Sequence, residues 1–244
     1  MNALLENDTL GFLDSLTPEA VLEWAWRTYR ERAAILTSLQ NTGCVMIDMA
    51  HRVAPGLRVI TVDTLRLPQE TYDLIAAIEQ RYGVNIERFQ PDPERLARMT
   101  REHGEYLFFD SRGQQQLCCQ VRKVEPNERA IETIDVWITG LRRDQSKSRR
   151  AVPKASLVDK KGRRLIKVCP LIDWTEERVW DYIRACHVPY NPLYDTGYSS
   201  LGCVICSTPT RPGEDKRAGR WRWQNPLADE HAKECGIHVQ GSGI

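Results

Sequence analysis

Residues 56–90 read GLRVITVDTLRLPQETYDLIAAIEQRYGVNIERFQ, and their alternation decides the fold. The first part, GLRVITVDT, is a short apolar run with the profile of a buried strand. LPQETYDLIAAIEQRYG follows as a helix stopped by Gly83, and VNIERFQ as a further strand. Downstream, PDPERLARMTREHG predicts another helix, ended by Gly104, and TIDVWITG another strand. Upstream, SLTPEAVLEWAWRTYRERAAIL opens a helix with Thr17 as N-cap and Pro18 at the first helical position. Val21, Trp24, Ala25 and Tyr29 fall on one face of it. GCVMIDMA, bounded by Gly43, reads as a buried strand. Strand and helix in turn predict an α/β fold, a parallel sheet with helices on both faces. In such a sheet ligands lie at the carboxyl ends of the strands. That edge is expected to carry Asp48, Asp63, Thr64 and Gly140, although each alone is more simply a turn or cap residue.

After Gly140 the texture changes. LRRDQSKSRRAVPKASLVDKKGRR is basic and poor in apolar residues, and reads as a solvated loop. DWTEERVWDYIRACH restores a helix, capped by Asp173 or Thr175, with Val179, Trp180 and Ile183 on one side. Residues 188–244 are punctuated by aromatic, Gly and Pro residues without a clear period. The 244 residues suffice for one substantial domain, with or without an appendage. Lys+Arg 34 against Asp+Glu 33 leaves a net charge of +1, so nothing global draws the chain to nucleic acid or a membrane surface. No apolar run approaches the roughly 20 residues that span a bilayer. The N-terminus carries acids early and lacks an export signal, so a cytoplasmic location is expected.

Eight cysteines in a reducing compartment point to metal or redox chemistry rather than a disulfide framework. Cys118 and Cys119 lie in QLCCQVRK, and Cys203 and Cys206 in LGCVICS. Two pairs make four thiolates, the number that a structural zinc or a [4Fe–4S] cluster requires. Adjacent residues cannot easily aim both sulfurs at one small ion, whereas a cubane offers separate corners, which favours the cluster. Zinc, and buried thiols without metal, stay open beside it. Cys44, Cys169 and Cys186 sit in apolar or helical surroundings and read as core packing. Cys235, in the tail stretch HAKECGIH, suits a nucleophile instead. Lys233 and His238 favour its thiolate, and Gly236 allows close approach to a substrate. Lys123, Arg149, Arg150, Arg217 and Arg220 make a cradle for a doubly charged phosphate or sulfate, or offset a negative cluster.

MIDMA, VDTLRLPQETY, CCQVRKVEP, ITGLRRDQS, VPYNPLYDTGYSSLGC, RAGRW and KECGIH, in this order, resemble the assimilatory adenylyl-sulfate reductase family. This is the iron–sulfur branch of the phosphoadenylyl-sulfate reductases, and the resemblance spans about residues 37–238. It implies an adenine-nucleotide α-hydrolase-like fold, with residues 1–225 as a reductase domain and 226–244 as a mobile tail. It implies that Cys118, Cys119, Cys203 and Cys206 hold a [4Fe–4S] cluster. Cys235 would attack the sulfur of adenylyl sulfate, release AMP and carry a Cys-S-sulfonate that thioredoxin resolves to sulfite. Phosphosulfate contacts carry over to Lys123, Arg150, Arg217 and Arg220, and nucleotide contacts to Thr37, Val62 and Gly140. Two departures stand out: the first loop reads TSLQNTGCV, with Gly43 its one glycine, and Leu65 stands where glycine is usual. No Ser-Gly-Gly-x-Asp-Ser loop is present, which excludes the ATP-using thiolation class. A reductase of the 3′-phosphorylated substrate, a dual-substrate enzyme and a nucleotide-binding module stabilised by a four-cysteine metal site are the alternatives. No fused CxxC domain follows Cys235, so an outside thioredoxin or glutaredoxin-like reductant is expected. The oligomeric state stays open, a homo-oligomer included.

Overall fold

The computed structural model describes residues 3–146, 149–160 and 162–223, so the expected tail with Cys235 lies outside the described residues. Helices α1 (Ala3–Ser15) and α2 (Pro18–Tyr29) precede strand β1 (Ala33–Leu36). Then come α3 (Asn41–Val53), β2 (Arg58–Val62), α4 (Gln69–Tyr82), β3 (Ile86–Phe89) and α5 (Pro93–His103). A continuous helix runs through α6 (Arg112–Cys119), a π turn (Gln120–Val124) and α7 (Glu125–Glu132). Strand β4 (Val136–Ile138), the pair β5 (Ala155–Lys160) and β6 (Arg163–Val168), and helix α8 (Glu176–Cys186) complete the described elements. The six strands form one sheet in the order β3-β2-β1-β4-β6-β5. All neighbours are parallel except β5, which runs antiparallel to β6 at the edge.

Both faces of the sheet are covered, as the sequence predicts. One apolar cluster joins Ile35, Val59, Val136 and Val168 to α2, α3, α4 and α8. The other joins Ala34, Leu36, Ile60 and Trp137 to Ala130 and Ile131 of α7. Thr17 caps α2, its Oγ1 accepting from the Ala20 N–H at 3.2 Å. The helix ends sooner than its sequence suggests, at Arg30 with φ 47°, which frees Ala33–Leu36 to become β1, an inner strand of the sheet.

GCVMIDMA is not a strand but the body of α3. Residues Asn41 to Ala50 are all buried, wedged between the sheet and α2 and α8. A helix buried on every side shows the same unbroken apolar run as a buried strand, which is why the run misleads. Gly43 bounds nothing; it lies in the first turn of α3, where an added Cβ would stand 1.9 Å from Thr37 Oγ1. Asp48 leaves the ligand edge as well. It sits in mid-helix, accepting from Tyr82 Oη at 3.0 Å, Tyr182 Oη at 2.7 Å and Arg52 Nη1 at 2.9 Å. The basic stretch after Gly140 is only partly a loop, because ASLVDK and RRLIKV pair as the β5–β6 hairpin. There the apolar positions Leu157, Leu165, Ile166 and Val168 outweigh the charges around them. Lys154, just before β5, is buried and donates its Nζ to the carbonyls of Asp14 (3.0 Å) and Leu16. It thereby closes the end of α1.

Asp48 ties α3 to α4 and α8 through one buried carboxylate. Asp48→Ala is expected to cost about 3 kcal/mol of stability, because two tyrosine hydroxyls and a guanidinium lose their shared acceptor. Urea unfolding measures this, and nucleotide affinity is expected to stay unchanged.

Candidate active site

The strand order reverses between β1 and β4, and a crevice opens beyond their carboxyl ends. Two adjoining cavities fill it. The smaller, of about 780 Å³, is lined by residues 36–38, the start of α3, Gly140, Arg142, Arg149, Glu176, Tyr194 and Lys216. The larger, of about 1090 Å³, holds all four paired cysteines, with Lys123, Arg217 and Arg220 on its wall. Thr37, Ser38, Gln40 and Arg217 are common to both.

The loops leaving β1 and β2 are built alike. Thr37 Oγ1 accepts the N–H of Leu39 at 2.9 Å, and Asp63 Oδ1 accepts the N–H of Leu65 at 2.9 Å. Each side-chain turn forces its third residue into the left-handed region, φ 56° at Leu39 and φ 57° at Leu65. Leu65 therefore occupies a position whose backbone suits glycine, matching the departure read from the sequence.

The cysteines come from two elements. Cys118 and Cys119 end α6, just before the π turn that carries Arg122 and Lys123. Such turns are rare and concentrate at functional sites. Cys203 caps a 3₁₀ turn that Cys206 ends, with the Cys206 N–H on the Cys203 carbonyl at 2.9 Å. The chain then doubles back, Ser207 bridging Arg220, so that Arg220 and Trp221 return beside Cys206. Gly202 makes room for this, since a Cβ there would meet Arg220 Nη1 at 2.2 Å.

Donors surround the sulfurs. Gln115 Nε2 donates to Cys119 Sγ at 3.0 Å, and Cys203 Sγ contacts Thr64 Oγ1 at 3.2 Å. Buried Arg122 donates through Nη1 to the Thr64 carbonyl at 3.0 Å, while its Nε and that of Arg220 are buried without a partner among the described residues. Burial pushes the Cys206 thiol up to about 12. It raises Cys118 too, against the opposing pull of Arg122 and Arg66. Among the described residues no three His, Cys, Asp or Glu side chains converge on a single ion. The arrangement is a wall of four thiols facing unmatched N–H donors, which suits an extended, negatively charged sulfur-ligated group.

Thr37, Val62, Gly140, Lys123, Arg217 and Arg220 thus all face this crevice. Arg150 is exposed and lines neither cavity, whereas its neighbour Arg149 does. Asp63 holds its loop by accepting from Tyr72 Oη at 2.7 Å and Gln90 Nε2 at 3.0 Å. Sequence reasoning missed Arg66, Gln115, Arg122, Arg142, Glu176 and Lys216. Arg66 and Arg142 were within reach, standing a few residues beyond Asp63 and Gly140 at the carboxyl ends of strands.

The phosphoadenosine phosphosulfate reductase domain profile matches residues 32–209. An adenosine 5′-phosphosulfate reductase of Allochromatium vinosum is 41% identical over 236 residues, 96% of this chain and 88% of that one. Adenosine 5′-phosphosulfate reductase 2 of Bacillus subtilis is 39% identical, covering 96% of each chain. Among solved structures, a phosphate complex of phosphoadenylyl-sulfate reductase from Candida auris superposes with a TM-score of 0.72 at 29% identity, over 85% of this chain and 98% of that one. FMN adenylyltransferase of Candida glabrata, at TM-score 0.54 and 12% identity, shares the fold.

Cys44 and Cys169 are buried core thiols, pushed up by burial to about 12 and about 11 from an ordinary value of 9.0. A thiol that ionises less readily when folded stabilises the fold below its ordinary value and stops doing so as pH climbs through the raised one. The melting temperature is therefore expected to fall steadily between about pH 9 and about pH 11, measured by calorimetry.

Proposed function

This chain belongs to the phosphoadenosine phosphosulfate reductase domain family, and from that premise we infer that it reduces adenosine 5′-phosphosulfate to sulfite and AMP through Cys235. One observation carries the reading: four thiols and five cations, Arg66, Arg122, Lys123, Arg217 and Arg220, share a single cavity at the strand-order reversal of a nucleotide-binding sheet.

The phosphosulfate would lie among Lys123, Arg217 and Arg220, whose charges neutralise it and hold its sulfur for in-line attack. The nucleoside would span the junction of the two cavities, against Thr37 of both, Val62 of the larger and Gly140 of the smaller. Cys235, outside the described residues, would supply a thiolate to the sulfur. The S–O bond to the phosphate breaks, AMP leaves with that electron pair, and a Cys-S-sulfonate remains. A dithiol reductant of the thioredoxin type then attacks Cys235 Sγ, sulfite departs with two electrons, and the second thiol resolves the mixed disulfide. Cys118, Cys119, Cys203 and Cys206 would hold a [4Fe–4S] cluster, a reading supported by Gln115 donating to Cys119, by Arg122 beside Cys118 and by the unpartnered Nε groups of Arg122 and Arg220 in the same cavity. When bound, it would supply a fixed charge beside Lys123 that tunes the field at the sulfate.

Incubating the protein with adenosine 5′-phosphosulfate and no reductant is expected to add one sulfonate in an intact-mass spectrum. The adduct should be absent in Cys235→Ser and discharged by thioredoxin. No adduct on the wild-type protein would sink the mechanism. Lys123→Ala is expected to lower kcat about 10²-fold, as loss of one pre-aligned charge does, with iron content unchanged.

A further inference from the structure

The smaller cavity contains one carboxylate, Glu176, that the chemistry above leaves unused, and a second, Asp144, holds it from behind. Glu176 opens α8 and lines the same cavity as Gly140, its side chain 30% exposed and paired with Lys216 of that cavity. Asp144 stands behind it, accepting the Glu176 N–H at 2.7 Å. Asp144 also accepts from Arg142 Nε at 2.9 Å. Arg142 is itself 3% exposed and reaches Thr42 Oγ1 at 3.2 Å in the first turn of α3. Arg142 and Lys216, two of the cations on this wall, are thus each matched to a fixed acid.

We propose that Glu176, backed by Asp144, selects nucleotides whose ribose 3′-hydroxyl is free over those carrying a 3′-phosphate. The proposal rests on the reading that the ribose lies against Gly140 at this end of the crevice. A sugar hydroxyl there meets a carboxylate able to accept its proton in a hydrogen bond. A phosphate brings up to two further negative charges beside Glu176, and must either break the Glu176–Lys216 pair or lie against its carboxylate, with Arg149 and Arg217 the remaining cations of the wall. Dinucleotide enzymes use the same logic, with a carboxylate for a free ribose hydroxyl and an arginine for a phosphorylated one. The fold does not decide the matter, because relatives named for each of the two substrates share it. Among the described residues lining the nucleoside side, Glu176 is the one acid.

Glu176→Gln keeps the shape and hydrogen-bonding capacity of the side chain, removes its charge and releases Lys216. Calorimetric titration with AMP and with adenosine 3′,5′-bisphosphate tests the proposal without turnover. The wild type is expected to bind AMP at least about tenfold more tightly than the bisphosphate. In Glu176→Gln the bisphosphate should gain about tenfold while AMP changes by less than about threefold. Glu177→Gln, altering the neighbouring residue of the same helix turn, should leave the ratio as in the wild type. An unchanged ratio in Glu176→Gln would overturn the proposal and leave the reductase reading intact. A wild-type protein that binds neither nucleotide would overturn the reading beneath it.

Discussion

Arg122 is the constraint around which the site is organised. The residue is 6% exposed, yet its guanidinium faces the Thr64 carbonyl and the Cys118 thiol rather than a carboxylate. Burial weakens its hold on the proton, and the positive charge of Arg66 nearby weakens it further. A charge so placed is costly unless something anionic shares its cavity. Thiols ligating a metal cluster would supply that anion, and the orphaned Arg122 Nε has no other acceptor among the described residues. Arg122 also fixes the loop after β2 to the helix of the first cysteine pair, because Thr64 both accepts from it and contacts Cys203.

The π turn lets one helix meet two different demands. Upstream of it, α6 presents Cys118 and Cys119 to the cavity; downstream, α7 buries Ala130 and Ile131 against the sheet. An uninterrupted α-helix repeats each face every 3.6 residues, so a wider turn resets the phase between the two stretches. Lys123, within the turn, is thereby delivered to the same cavity as the cysteines.

Much of this was legible in the sequence, for identifiable reasons. The stretch 56–104 alternates cleanly because its helices are half-exposed and keep a helical period, while β2 is an almost wholly buried run and β3 a short edge strand. Both cysteine pairs and Lys123, Arg217 and Arg220 were legible from spacing and residue chemistry, since no core position calls for adjacent thiols beside cations. What failed was α3, whose burial on all sides erases its helical period, and β1, whose four residues follow a helix without a Gly or Pro between. The matched acids of the smaller cavity were hidden for another reason. Asp144 and Glu176 are 32 residues apart, and the parallel pairing of β4 with β6 brings the segments that follow these strands into contact.

Lys154 adds a consequence for how the chain is made. The carbonyls it caps, those of Asp14 and Leu16, leave the ribosome long before it does. Strand β1 is also early, but one of its two neighbours, β4, comes about a hundred residues later. The N-terminal part must therefore wait, with its inner strand half-paired, until β4 has been synthesised. Such late closure between distant segments slows folding and exposes a strand edge in the interval. The nascent chain, rather than the finished enzyme, is where this architecture is most in need of a chaperone.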